Sequence, residues 1–130
     1  MNELLKKKAF LFDVEGVLTD NIDEGHGLSN AVDFLSFLKK HNKKIAIITN
    51  ISRKPRKIVY NKLLNMGLPI EEHEVFTSGA TTALYIKDNF PNATCFVISE
   101  WGLKKDIEDA GITIAEGYDA DVVAIGADRN

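Results

Sequence analysis

One cysteine, three prolines and one tryptophan stand among the 130 residues. A lone cysteine excludes an internal disulfide and fits a reducing compartment. Cys95 lies in the apolar run Thr94-Cys95-Phe96-Val97-Ile98 and reads as packing, not as a nucleophile. No apolar run approaches the roughly 20 residues of a bilayer span, and Met1 to Lys8 lacks the apolar core of a signal peptide. Asn92-Ala93-Thr94 has the glycosylation pattern, but without a secretory signal it reads as ordinary surface. An excess of positive charge is also missing: 16 Lys and Arg face 19 Asp and Glu, a net charge of −3. That balance argues against a nucleic-acid binder held by phosphate contacts. The expectation is a cytoplasmic protein with no membrane and no nucleic-acid partner.

What is present is alternation. The 45% hydrophobic and 27% charged content suits one ordinary domain, able to bury roughly two thirds of its unfolded surface. Ala9 to Asp13 reads as a strand apolar enough to be covered by helices on both faces, and Ile45 to Thr49 as a second. Between them, Gly16 to Gly27 is polar and without helical period. Ser29 is expected to cap a helix buried through Ala31, Phe34, Leu35 and Leu38. Ser52 is expected to cap the next, with Ile58, Leu63 and Met66 as its apolar stripe and Gly67 as its end. Val75 to Thr77 reads as a short strand, and Ser78 as the cap of a helix reaching about Phe90. Thr94 to Ile98, a helix from Trp101 to Ala110, Ile112 to Ala115 and Asp121 to Ile125 complete the pattern, with Phe90 and Trp101 read as packing. This is an α/β chain: a Rossmann-like parallel sheet with crossover helices.

Three clusters carry candidate chemistry. Asp13 ends the first strand and Glu15 follows two residues later, at the strand end where open parallel sheets bind ligands. A carboxylate there can attack phosphorus, a second acid can shuttle the proton, and a divalent cation offsets the repulsion between two anions. The bland alternative is a loop-capping aspartate and a solvated glutamate. Thr49 and Asn50 end the second strand, which one crossover should place beside the first; a hydroxyl and backbone N–H groups there can bind a phosphoryl oxygen, or simply open a loop. Arg53, Lys54, Arg56 and Lys57 crowd a helix start, against its macrodipole. Either a bound anion relieves the crowding or the side chains reach into water, and Arg53 is the best placed to touch a substrate. His26, His41 and His73 have no metal-ligand spacing and read as surface.

These segments resemble the opening half of the haloacid dehalogenase superfamily of phosphohydrolases, in particular its capped branch, subclass IIA, with 4-nitrophenyl phosphatase-like and sugar-phosphatase-like members. Asp13-Val14-Glu15-Gly16-Val17-Leu18 is similar to its first motif and Ile47-Ile48-Thr49-Asn50 to its second. The likeness continues through Phe76-Thr77-Ser78-Gly79, Val97 to Leu103 and Ala120 to Arg129, nearly the whole chain in order. The resemblance implies Asp13 as nucleophile and Mg²⁺ ligand, and Glu15 as acid/base and carbonyl donor to the metal. It also implies Thr49 and Asn50 as phosphate binders, and Gly16 to Gly27 as a mobile flap.

Residues 1–78 would then be the first part of the catalytic core and 79–130 the first part of an α/β cap, or both one compact domain. The implied reaction is hydrolysis of a small phosphorylated metabolite through an aspartyl-phosphate. Two departures accompany it. Glu15 stands where the family usually has Asp, and the family's later lysine and acidic metal ligands lie beyond position 130, so the fold is incomplete relative to the family. Two further readings stay open: a non-catalytic α/β module that keeps weak anion or metal binding or acts only by association, and a homo-oligomer joined through the edge of an uncovered last strand. A phosphoacceptor signalling domain fits poorly, because no acceptor follows Val75-Phe76-Thr77 and no lysine follows Ile125.

Overall fold

The computed structural model describes residues 2–129. They form two compact units. The first runs up to Thr49 and resumes over Val59–Phe76; the second takes Asn50–Ile58 and the described residues from Thr77 onward.

In the first unit a short helix, α1 (Asn2–Leu5), leads into β1 (Ala9–Phe12). A small antiparallel ribbon follows, β2 (Thr19–Asn21) with β3 (His26–Gly27). Then come α2 (Ala31–Lys40), β4 (Lys44–Thr49), α3 (Arg56–Asn65), a 3₁₀ turn at Glu72–Glu74 and β5 (Val75–Thr77). The sheet order is β1-β4-β5. β1 and β4 are parallel and in register from Ala9 opposite Lys44 to Phe12 opposite Ile47. Ile45, Ile47 and Thr49 are buried on one face, with Leu35 and Leu38 of α2 and Val59 and Leu63 of α3 in the same core. Phe12 meets Phe34 edge-on, ring centroids 6.1 Å apart.

The other face of this sheet carries exposed apolar side chains among the described residues. Leu11 is 70% exposed, Ile48 48% and Phe76 47%. The expectation that β1 and β4 would be covered on both sides is corrected: an apolar run reports what a strand can bury, not which face has a neighbour.

The second unit has its own sheet. After α4 (Ser78–Asn89) come β6 (Thr94–Ile98), α5 (Trp101–Asp109), β7 (Thr113–Ile114) and β8 (Val122–Ile125), in the order β7-β6-β8, all parallel. Ala83 and Ile86 of α4 pack with Leu103 and Ile107 of α5 over Cys95 and Ala124. Cys95 is fully buried, as its sequence context predicts, and burial pushes its thiol above the usual range. At the start of β6 the N–H and hydroxyl of Thr94 both donate to Asp121 Oδ2, at 2.8 and 2.9 Å, which ties the approach to β8 in place. These bonds hold the Asp121 carboxyl below its ordinary range.

Several local expectations are corrected. The cap of α2 is Asn30, in the left-handed region at φ 71° and without a side-chain bond to the helix, not Ser29. α4 is capped by Thr77, whose hydroxyl accepts from the Ala80 N–H at 3.2 Å; Ser78 is already helical. α3 starts at Arg56, and Ser52 accepts instead from the distant Ala127 N–H at 3.1 Å. The buried positions of α3 are Val59 and Leu63, with Ile58 and Met66 half-buried. It ends as expected at Gly67, whose φ of +86° suits a residue without Cβ. Trp101 and Phe90 are not core residues, being 56% and 46% exposed; Phe90 instead meets Tyr85 on the surface.

Candidate active site

The carboxyl ends of β1 and β4 define the site. The last paired residues are Phe12 and Ile47, so Asp13 falls one residue past the pair and Thr49 two. They occupy the same rim of adjacent strands, which lie about 4.8 Å apart in any sheet. Asp13 is exposed and Thr49 buried. One Asp13 oxygen, Oδ1, accepts from the Val14 N–H at 2.7 Å; Oδ2 has no hydrogen-bond partner among the described residues. The carboxylate is thus braced at one oxygen and open at the other.

The turn after Asp13 is built tightly. The Val14 carbonyl accepts from Val17, Leu18 and Thr19 N–H groups at 3.3, 2.9 and 3.1 Å, and the Gly16 N–H donates to the Thr19 carbonyl at 2.7 Å. Gly16 sits at φ +83°, where an L side chain is strained. Val14, Leu18 and Ile22 are almost wholly buried and anchor this segment, whose β2 and β3 pair as an antiparallel ribbon. Thr19 was not singled out by sequence reasoning. Its buried hydroxyl donates to the carbonyls of His26 and Asn21 and closes that ribbon. Glu15 is exposed, and its Oε1 accepts a long bond of 3.5 Å from the Ile22 N–H.

Asn50 and Arg53 belong to the second unit. Asn50 is exposed, and its carbonyl accepts from the Ser78 hydroxyl at 2.9 Å. Arg53 and Lys54 lie in the loop before α3, whose backbone seats on Gly102. The cations around the start of α3 have an internal answer. Asp106 of α5, 7% exposed, accepts the Arg56 N–H through Oδ1 at 2.9 Å. It is an N-terminal cap supplied 50 residues away, for which the sequence offers no local signal. Burial pushes the Asp106 carboxyl up to about 6, against the opposing pull of that N–H. Its Oδ2 has no partner among the described residues and faces Gly79.

A carboxylate oxygen and a nearby main-chain carbonyl are hard donors of the kind Mg²⁺ takes. The Asp13 carboxylate and the Glu15 carbonyl fit such an ion in kind, as part of a larger set. His26, His41 and His73 are on the surface, as expected. Among the described residues no helix is long and apolar enough to cross a membrane.

Parallel strands joined by crossover helices, with an acid at the first strand's rim, make an α/β arrangement that binds ligands at the carboxyl ends of its strands. Residues 10–113 match the family model of haloacid dehalogenase-like hydrolases, and the chain belongs to that family. It is 33% identical over 123 residues to the acid sugar phosphatase of Staphylococcus haemolyticus, covering 95% of this chain and 46% of that one. It is 32% identical over 123 residues to the 5'-nucleotidase YutF of Bacillus subtilis, with the same coverage. Among solved structures, the p-nitrophenyl phosphatase from Archaeoglobus fulgidus superposes with a TM-score of 0.87 at 29% identity, covering 95% of this chain and 46% of that one. The chain spans about half the length of the relatives it matches.

Proposed function

We propose that the chain is the nucleophile-bearing half of a Mg²⁺-dependent phosphomonoester hydrolase acting on a small phosphorylated metabolite. The observation that carries this reading is the placement of Asp13 and Thr49 on one rim of paired parallel strands, with Asp13 Oδ2 open. In the proposed reaction Asp13 Oδ2 attacks phosphorus and the ester P–O bond breaks. The departing alkoxide takes a proton from Glu15 and leaves as an alcohol. Glu15, now a carboxylate, takes a proton from water as that water opens the aspartyl-phosphate, which restores Asp13 and releases inorganic phosphate. Thr49 and Asn50 donate to phosphoryl oxygens, and Arg53 adds positive charge to substrate binding. Mg²⁺, when bound through Asp13 and the Glu15 carbonyl, neutralises charge between the two anions.

The extra methylene of Glu15 lengthens its reach, and catalysis tolerates little displacement, so slow turnover is expected. The test is Mg²⁺-dependent release of 4-nitrophenol from 4-nitrophenyl phosphate, by the chain alone and by the chain mixed with the portion of a relative that it does not match. Asp13→Asn should lower the rate by about 10³-fold or more while leaving the fold intact. Turnover unchanged in that variant, or none in either preparation, contradicts the reading.

A further inference from the structure

Neutral contacts and one ionisable group hold the loop from Asn50 to Ile58 to the rest of the second unit. The Ser78 hydroxyl donates to the Asn50 carbonyl at 2.9 Å, and the Ala127 N–H donates to the Ser52 hydroxyl at 3.1 Å. Gly102 makes room for the backbone of Ser52, Arg53 and Lys54, where a Cβ would come within 2.5 Å. The ionisable group is Asp106, 7% exposed, which stands between two helix starts. Its Oδ1 accepts the Arg56 N–H at 2.9 Å and so serves α3, whose first N–H groups have no partner inside the helix. Its Oδ2, without a partner among the described residues, lies against α4 at Gly79, where a Cβ would fall 2.6 Å from it. An ionised carboxylate buried with one oxygen unsatisfied is costly, whereas the neutral carboxyl keeps the Oδ1 bond without that cost. The charged groups acting on it are Arg56 of α3 and Asp109 of its own helix; the buried face of α4, Gly79, Ala83 and Ile86, carries no titratable group.

We propose that Asp106 is a positioning residue, a proton-operated clamp on the loop that carries Asn50 and Arg53. Protonated, it holds the start of α3 and this loop in one backbone arrangement; ionised, it lets the loop open without unfolding the unit. The sign follows from burial. The carboxyl titrates at about 6 in the closed loop and at an ordinary 3.8 once water reaches it, so opening is hardest below pH 4 and grows easier up to pH 6. The clamp stands on the geometry of the second unit. Its use, to set how firmly two phosphate donors are presented, rests on the phosphatase reading.

The test is amide exchange at Arg56 in the 130-residue chain, followed by NMR and corrected for the intrinsic pH dependence of exchange. Protection at Arg56 should fall at least about tenfold between about pH 4 and pH 8. Throughout, it should stay below that of the β6 amides, Thr94–Ile98, because local opening precedes unfolding of the unit. In Asp106→Asn, which keeps an acceptor and cannot ionise, Arg56 protection should not change with pH. Exchange at Arg56 as slow as in β6 means that only unfolding frees the carboxyl, and overturns the clamp. The same pH dependence in parent and Asp106→Asn overturns it too. Should the variant not fold, the parent decides alone: the Asp106 carboxyl carbon and the Arg56 N–H should titrate together near 6, and an Arg56 resonance indifferent to that titration overturns the proposal. Sulfate keeps its double charge over this range, and a ligand of the clamped loop must oppose its opening. About 50 mM sulfate should therefore slow Arg56 exchange several-fold at about pH 8, relative to chloride of equal ionic strength. No slowing, with the pH dependence intact, keeps the clamp and overturns Asn50 and Arg53 as phosphate donors instead.

Discussion

Gly102 and Asp106 hold the second unit's loop at Asn50–Ile58. A Cβ on Gly102 would overlap the backbone of Ser52, Arg53 and Lys54, which cannot rotate away as a side chain could. Alanine in an ordinary helix gains about 1 kcal/mol over glycine. Here the overlap outweighs that gain, and Gly102→Ala should cost about 2–3 kcal/mol, read as a lower urea midpoint. Asp106 carries a pH dependence of defined sign. Its carboxyl titrates at about 6 when folded and at an ordinary 3.8 when unfolded, so the native state holds the extra proton between those values. The contribution to stability is therefore fullest below pH 4 and is lost as pH rises through 6. The charged groups acting on it are Arg56 from α3 and Asp109 from its own helix. Asp106→Asn keeps the acceptor for the Arg56 N–H and removes the charge. It should be more stable than the parent at pH 8 by about 1–2 kcal/mol and no more stable at pH 4, as measured by urea unfolding at both.

At the scale of elements, caps decide where helices begin. The Thr77 hydroxyl satisfies the Ala80 N–H of α4, and Thr77→Ala should cost about 1 kcal/mol in thermal or urea unfolding, with Thr77→Ser nearly neutral. The caps also show where sequence reading succeeds and stops. The strands of the two parallel sheets and the four long helices were legible, because apolar runs and 3.6-residue stripes report burial directly; the ribbon of β2 and β3 was not, because Gly16 to Gly27 has no apolar run. Their starts were less so: Ser29, Ser52 and Ser78 are good capping residues by type, yet the structure uses Asn30, Asp106 and Thr77. A short polar side chain fits a cap or its neighbour equally well, and a cap drawn from α5 leaves no mark near α3. In the candidate site, Asp13 and Thr49 were legible as polar residues closing apolar strands. The assignment of Asn50 and Arg53 to the other unit was not, since it depends on the loop at Asn50–Ile58 seating on Gly102.

For the whole molecule, the two sheets share one property. Each has a helix-covered face and another with exposed apolar side chains among the described residues, Ile98, Val123 and Ile125 in the second as Leu11, Ile48 and Phe76 in the first. Burial of apolar surface stabilises by about 25 cal/mol per Å², so faces of this kind favour whatever layer covers them. The chain carries the rim with Asp13 and spans about half the length of the relatives it matches. The central claim is that the carboxylate of residue 13 takes the phosphoryl group. The most direct measurement is to quench the chain, supplemented with Mg²⁺ and mixed with the portion of a relative that it does not match, during turnover of 4-nitrophenyl phosphate, reduce with borohydride and sequence the peptides by mass spectrometry. Reduction converts an acyl phosphate to an alcohol, so the account predicts homoserine at position 13, absent without substrate and absent in Asp13→Asn. Turnover that leaves an unmodified aspartate at 13, or a reduced carboxylate elsewhere in the chain, would contradict it.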